Sequence, residues 1–179
     1  MLGGELCETQ DETQHATVAP RGRALGFALK GATDRGLQNE QHLHESLMTV
    51  LAGRAAEYVV FSTVSSGAAN DLQQANLLAR QAIEEWGLSP RVGQLSSQGG
   101  ALSESTRGVI DEEIARLVAD AYRDAVSLVE EHRTQLDRLA TALLHSGEIE
   151  RPEIELALVD AKPSGYKPTV NHRPLRVAA

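Results

Sequence analysis

A stripe of apolar side chains repeats at intervals of three and four residues between positions 110 and 144. This spacing places the side chains on one face of an α-helix. Asp111, Glu112 and Glu113 lie near its start, where the helix dipole stabilises carboxylates. The pattern predicts a long helix from near Ser103 and a second helical segment after His132. The stripe consists of Ile110, Ile114, Leu117, Val118, Ala121, Ala125, Leu128, Val129, Leu136, Leu139, Ala140, Leu143 and Leu144.

Shorter periodic segments precede and follow the stripe. One predicts a helix over residues 39–61, with Asn39 as a favourable N-cap type. Another predicts a helix over residues 68–86, with Gly87 as a C-cap candidate. Pro152 opens a short last helix over residues 153–158. A short strand is expected near residues 24–29, and the fold class is therefore mainly α.

Composition limits both the core and the partners of this 179-residue chain. Aromatic residues make up only 3% of it, so Leu, Val, Ile and Ala must form the core, which favours helices packed on helices. A net charge of −8 argues against nucleic-acid binding, which needs a basic face. The single cysteine, Cys7, excludes a disulfide framework. Because neither a membrane span nor a signal peptide is recognisable, we expect a cytoplasmic domain.

Three regions are expected along the chain. Residues 1–17 are polar and non-periodic, which is typical of a loop or frayed arm. Residues 18–158 carry the predicted helices and form the domain. Residues 159–179 contain three prolines and few apolar side chains, which predicts a flexible tail.

One stretch resembles the zinc-peptidase pattern H-E-x-x-H without matching it. His44 and Glu45 are followed at the fifth position by Met48, whose thioether is a poor zinc ligand. We therefore interpret this stretch as the solvated, polar start of a helix. Four further histidines are scattered and predicted to lie at the surface; they are His15, His132, His145 and His172. The chain has no Gly-x-x-x-x-Gly-Lys phosphate loop, so no ATP site of that kind is expected.

A second stretch combines a glycine on one predicted helix with carboxylates on two helices. Gly53 allows a close helix approach, and Glu57 follows it by one helical turn. Asn70 and Asp71 open the next helix, where the helix dipole favours the carboxylate. From periodicity alone, Asn70 and Asp71 are more readily interpreted as capping residues without a chemical role.

Several short motifs, in order, resemble the peptidase domain of the FtsH family, which comprises membrane-anchored, ATP-dependent zinc metalloproteases. The similarity covers residues 18–158. Its motifs are Pro20-Arg21-Gly22-Arg23-Ala24-Leu25-Gly26, Leu51-Ala52-Gly53-Arg54-Ala55-Ala56-Glu57, Val64-Ser65-Ser66-Gly67-Ala68-Ala69-Asn70-Asp71-Leu72, Ala79-Arg80, Trp86-Gly87-Leu88-Ser89, Ile110-Asp111-Glu112-Glu113, Ala121-Tyr122, Leu139-Ala140 and Leu143-Leu144.

The resemblance implies a helical peptidase bundle, a hexameric ring, and a zinc ion held by two histidines and one aspartate. Asp71 matches the aspartate ligand. Glu57 and Asn70 match residues close to the metal. The segment that lies near the family's substrate cleft is Arg21, Gly22, Arg23, Ala24, Leu25 and Gly26. Unfolded or membrane proteins are the substrates that the family implies.

The sequence departs from the family pattern at its start. The family's H-E-x-x-H precedes the Pro-Arg-Gly motif, and none of residues 1–19 reads H-E-x-x-H. We therefore expect the isolated chain to bind zinc weakly and to be inactive as a peptidase, with no catalytic residue of its own. A non-catalytic assembly or regulatory subunit, joining itself or FtsH-like subunits in a ring, is the alternative. A remnant without a selected role also fits the sequence.

Overall fold

A computed structural model describes residues 1–19, 26–31, 39–93 and 102–165. Within these ranges the chain forms six helices and three strands. In chain order they are α1 (Leu2–Glu5), β1 (Thr13–Thr17), β2 (Phe27–Lys30), α2 (Glu40–Phe61), α3 (Ala69–Glu84), α4 (Glu104–Glu131), α5 (Arg133–Ser146), β3 (Glu148–Glu150) and α6 (Arg151–Ala157). A single 3₁₀ turn, Ser66–Ala68, precedes α3. The prediction of a mainly α fold is confirmed.

Side-chain N-caps start the two longest helices. The Asn39 side chain accepts a hydrogen bond from the His42 backbone N–H at 2.8 Å. Ser103 Oγ accepts one from the Thr106 N–H at 3.1 Å. Each cap satisfies a backbone donor that the first helical turn leaves unpaired. Asn39 was predicted to start α2 and Ser103 to mark the start of α4, and both predictions are confirmed.

Small side chains bring α2, α3 and α4 close together. Ala55 on α2 is fully buried, as are Ala75, Ala79 and Ala82 on α3, and Ala121 on α4. Larger aliphatic side chains fill the remaining core; those under 2% exposed include Leu47, Leu51, Ile83, Leu139, Ile149 and Ile154. None of the aromatic side chains in the described ranges is buried, so the core is aliphatic, as composition predicted. No helix in these ranges is both long and apolar enough to cross a membrane.

An antiparallel sheet of three short strands lies beside the helices, in the order β2-β1-β3. Ala16 of β1 pairs with Ala28 of β2 on one side and with Ile149 of β3 on the other. The strand expected near residues 24–29 is present as β2, whereas β1 and β3 were not expected. A Cβ on Gly26 would lie 2.6 Å from the Thr17 carbonyl oxygen. Only glycine therefore fits where the backbone before β2 approaches the end of β1.

The expectation of a polar arm over residues 1–17 is wrong. Leu2, Leu6 and Ala16 are buried in the core. The Glu5 carboxylate accepts a hydrogen bond from the Thr13 backbone N–H and a second from Arg151 of α6. The segment escaped prediction because its elements are too short for a periodic signal and are held by contacts with distant residues.

The predicted flexible tail also differs in its described part. Residues 159–165 turn back onto the domain, where the Ser164 N–H donates to the Leu6 carbonyl at 2.7 Å. Residues 166–179 lie outside the described residues, so the prediction for them is unchanged.

Candidate functional site

The loop between α2 and α3 brings Gly53, Glu57 and Asp71 together. Gly53 and Glu57 are one turn apart on α2, and Asp71 lies in the first turn of α3. A Cβ on Gly53 would lie 3.6 Å from Asp71 Oδ2, so the carboxylate rests directly over this glycine. The structure thus brings together two of the carboxylates that the resemblance assigns to the metal region.

Ser65, which the sequence analysis did not assign to the site, connects Glu57 to the loop. The Ser65 backbone N–H donates to Glu57 Oε2 at 2.7 Å, and Ser65 Oγ donates to Oε1 at 2.8 Å. Ser65 Oγ in turn accepts from the Gly67 N–H at 3.1 Å. These bonds hold the 3₁₀ turn that leads into α3. The only sequence signal for them was the Ser-Ser-Gly stretch, a weak indication because serine and glycine are common in loops.

The two carboxylates have opposite electrostatic environments. Hydrogen bonds from the Ser65 backbone, and then from its hydroxyl, lower the pKa of Glu57. Partial burial, followed by repulsion from Glu57, raises the pKa of Asp71. No donor among the described residues hydrogen-bonds to Asp71. Glu57 therefore accepts hydrogen bonds on both oxygens, whereas Asp71 accepts none from the described residues.

Capping does not explain Asp71 or Asn70. The N-cap of α3 is Ala68, and no side chain makes a cap hydrogen bond there. Asn70 is exposed in the first turn of the helix. The capping interpretation of these two residues is therefore wrong, and the loop is instead held by Ser65.

Zinc requires more ligands than these residues offer. A catalytic zinc site has three protein ligands and an open position for water. Across residues 1–19, 26–31, 39–93 and 102–165, no three His, Cys, Asp or Glu side chains form a group able to hold a metal ion. The Asp71 carboxylate fits as one ligand, but the described donor set as a whole does not fit zinc.

The substrate-cleft segment is described only at its end. Arg21, Gly22, Arg23, Ala24 and Leu25 lie outside the described residues. Gly26 immediately precedes β2 and lies against the Thr17 carbonyl. Its assignment to a substrate cleft therefore stays a prediction.

The interpretation of His44 and Glu45 as a solvated helix start is wrong. His44 is 7% exposed and Glu45 is fully buried. His44 Nε2 lies 2.9 Å from Asp124 Oδ2 on α4, and burial lowers the histidine pKa despite this carboxylate. The polar residues at the start of α2 suggested a solvent-exposed face, but α4 and the N-terminal segment cover this part of the helix.

Thr9 provides the contacts that bury Glu45. Its backbone N–H and its Oγ1 donate to Glu45 Oε2 at 2.7 and 2.6 Å. Gln41 Nε2 donates to Oε1 at 2.9 Å. Buried carboxylates require such donors. Glu45 thus holds the N-terminal segment against α2.

Fold and site together define a mainly helical domain with the Asp71 carboxylate in the first turn of α3, close to Glu57 and over Gly53. Comparison with known proteins identifies the family. The sequence pattern of peptidase family M41 matches residues 1–156. The chain belongs to this family.

Its relatives include three bacterial proteins described as ATP-dependent zinc metalloprotease FtsH. The chain is 38% identical over 168 residues to that of Thermobaculum terrenum, covering 86% of this chain and 26% of the relative. It is 38% identical over 171 residues to FtsH 1 of Symbiobacterium thermophilum, and the match covers 94% of this chain and 28% of that relative. The Thermus thermophilus protein is 38% identical over 154 residues, and the match covers 80% of this chain and 25% of that relative. The chain thus spans about a quarter of the length of these relatives.

Proposed function

We propose that this chain supplies the Asp71 side of an M41 zinc-peptidase site and is inactive by itself. The observation that carries the proposal is the free Asp71 carboxylate, held over Gly53 while Glu57 is bound to Ser65. One carboxylate cannot provide the three protein ligands of a catalytic zinc. Two histidine ligands and a general-base glutamate would have to come from residues outside the described ranges.

Asp71 would serve as the acidic ligand in the complete site. In this chain, Glu57 acts through Ser65, because both of its oxygens accept hydrogen bonds from that residue. The role of Glu57 is therefore to hold the loop that presents Asp71.

Metal stoichiometry tests the proposal directly. The purified chain, loaded with zinc and then dialysed, is expected to retain far less than one zinc per chain by mass spectrometry. Casein degradation should not exceed that of a chelator-treated sample. One tightly held zinc per chain that is lost in Asp71→Ala, or chelator-sensitive proteolysis, would refute the proposed inactivity.

An assembly function is the second candidate, and exposed apolar side chains at the end of α2 and on α3 favour it. At the end of α2, Tyr58 is 50% and Phe61 70% exposed, and on α3 Leu77 is 67% exposed. Ala69, Leu72, Gln73, Asn76 and Leu77 line an open apolar groove on α3. Exposed apolar surface of this kind is typical of association sites. Subunits of the same kind, or FtsH-like subunits of a cytoplasmic ring, would cover it.

Light scattering coupled to size exclusion tests this second function. Leu77→Glu is expected to shift the chain toward the monomer because it places a charge in the groove. Leu144→Glu is the matched control, since Leu144 is 83% exposed on α5. A wild-type chain that is strictly monomeric and does not co-purify with a full-length relative would contradict the assembly function.

A further inference from the structure

The C-terminal segment crosses the domain and is held by backbone hydrogen bonds. We call residues 158–165 the strap. Within it, the Ala161 N–H donates to the Leu158 carbonyl at 2.8 Å. The Lys162 N–H donates to His132 Nε2 at 3.2 Å, and the Ser164 N–H donates to the Leu6 carbonyl at 2.7 Å. The strap therefore joins the end of α6 to the α4–α5 junction and to the N-terminal segment.

The bonds of His132 require one protonation state. The ring is 5% exposed, and its Nδ1 lies 2.9 Å from the Leu128 carbonyl oxygen. A carbonyl only accepts, so Nδ1 must carry a proton. The Lys162 N–H only donates, so Nε2 must carry a lone pair. A neutral imidazole with its proton on Nδ1 satisfies both partners, whereas an imidazolium, which donates from both nitrogens, does not.

The strap also covers the one cysteine of the chain. The Cys7 thiol is 5% exposed and lies beside the hydroxyls of Thr49 and Ser164. Burial raises the pKa of this thiol to about 11. Because Ser164 belongs to the strap, opening of the strap exposes Cys7, and the thiol provides a built-in reporter of that motion.

We propose that His132 is a proton-operated latch: the neutral ring closes the strap over Cys7, and a proton on Nε2 releases it. Protonation replaces an acceptor by a second N–H that points at the Lys162 N–H, so the strap loses its middle anchor. The released state is the acidic one.

Charged groups of both signs lie on the elements around the latch. Glu131 and Arg133 flank His132 in the chain, and Arg133 donates to the Val59 carbonyl of α2 at 3.5 Å and to Asp137 at 3.0 Å. Asp124 and Glu131 line the cavity beside Ser164. The strap itself carries Lys162 and Asp160, the latter 3.8 Å from Arg138. None of them replaces the hydrogen bond that protonation breaks.

Thiol labelling of the full chain tests the latch. The rate of reaction with 4,4′-dithiodipyridine is divided, at each pH, by the rate for the chain unfolded in guanidinium. In the wild type this ratio is expected to rise at least fivefold between pH 8 and pH 5.5. His132→Leu keeps an apolar side chain in the buried site but cannot bond Lys162, so its ratio should be high at pH 8 and independent of pH. His145→Leu, at an exposed histidine, should behave as the wild type.

Two results overturn the proposal. One is a labelling ratio with the same pH dependence in the wild type and in His132→Leu. The other comes from NMR, which does not depend on any variant folding. Long-range ¹H–¹⁵N correlations should place the His132 proton on Nδ1 at pH 8, and the Lys162 amide should be protected from exchange there and lose protection at pH 5.5. A proton on Nε2 at pH 8, or a Lys162 amide that exchanges freely, contradicts the latch.

Discussion

The ion pair between Arg151 and Glu5 should be the most sensitive polar contact in the domain. The Glu5 side chain is 4% exposed, and its Oε2 lies 2.5 Å from Arg151 Nη1. Arg151 also bonds Glu155 Oε1 at 2.9 Å and approaches Glu12 Oε1 at 3.5 Å. Among the described residues, Glu5 has one other donor, the Thr13 backbone N–H. Arg151→Met leaves the Glu5 carboxylate buried with that single donor.

The expected cost follows from the burial of the two partners. Removing one partner of a fully buried pair costs roughly 3 to 5 kcal/mol, because an uncompensated charge is left in the interior. The Arg151 side chain is 23% exposed, so water can reach the vacated side of Glu5 and reduce this cost. We expect a loss of about 2 to 3 kcal/mol in the free energy of unfolding. With a urea m-value of about 2 kcal/mol/M, the midpoint should fall by about 1 to 1.5 M.

Urea unfolding followed by circular dichroism measures this loss. Arg133→Met is the matched control, because Arg133 pairs at 3.0 Å with Asp137 and both side chains are well exposed. Exposed pairs of this kind contribute about 0 to 1 kcal/mol. A double variant, Glu5→Leu with Arg151→Met, should recover most of the lost stability, since no buried charge remains. If Arg151→Met and Arg133→Met are equally stable, the reasoning about Glu5 is refuted.

Three further predictions concern the site and the sheet. Ser65→Ala should raise the pKa of Glu57 toward its ordinary value because it removes the hydroxyl donor. Ser65→Thr keeps a hydroxyl and should leave the pKa low. An NMR titration that shows the same Glu57 pKa in both variants would contradict this. Burial raises the pKa of Asp71 above its ordinary value of 3.8, so its ionised form opposes folding above the folded pKa and has no effect well below 3.8. Asp71→Asn should therefore raise the urea midpoint at pH 7 and not at pH 3, and a fall at pH 7 would count against the burial argument. Gly26→Ala should lower stability by roughly 1 to 3 kcal/mol, because its Cβ meets the Thr17 carbonyl at 2.6 Å; an unchanged midpoint would show that β1 and β2 separate easily.

The helices could be predicted because their signals are local. The stripe from Ile110 onward specifies α4, and the N-caps at Asn39 and Ser103 mark the starts of α2 and α4. Caps and periodic apolar positions depend on residues three or four apart, so they can be read without a fold. Asp71 was found through its motif rather than through periodicity. Ser65 was missed because its partner Glu57 lies on the preceding helix, across the turn.

The sequence by itself determined the helices, the aliphatic core and, through its motifs, the family. The tertiary structure alone decided which polar residues are buried. His44, Glu45 and His132 look like surface residues in the sequence, and each is enclosed by a distant segment that supplies its hydrogen bonds. The sheet was decided in the same way, since Ala16 pairs with Ile149 from the opposite end of the domain. Local patterns record the conformation of neighbouring residues, whereas burial and strand pairing are fixed only when remote parts of the chain meet.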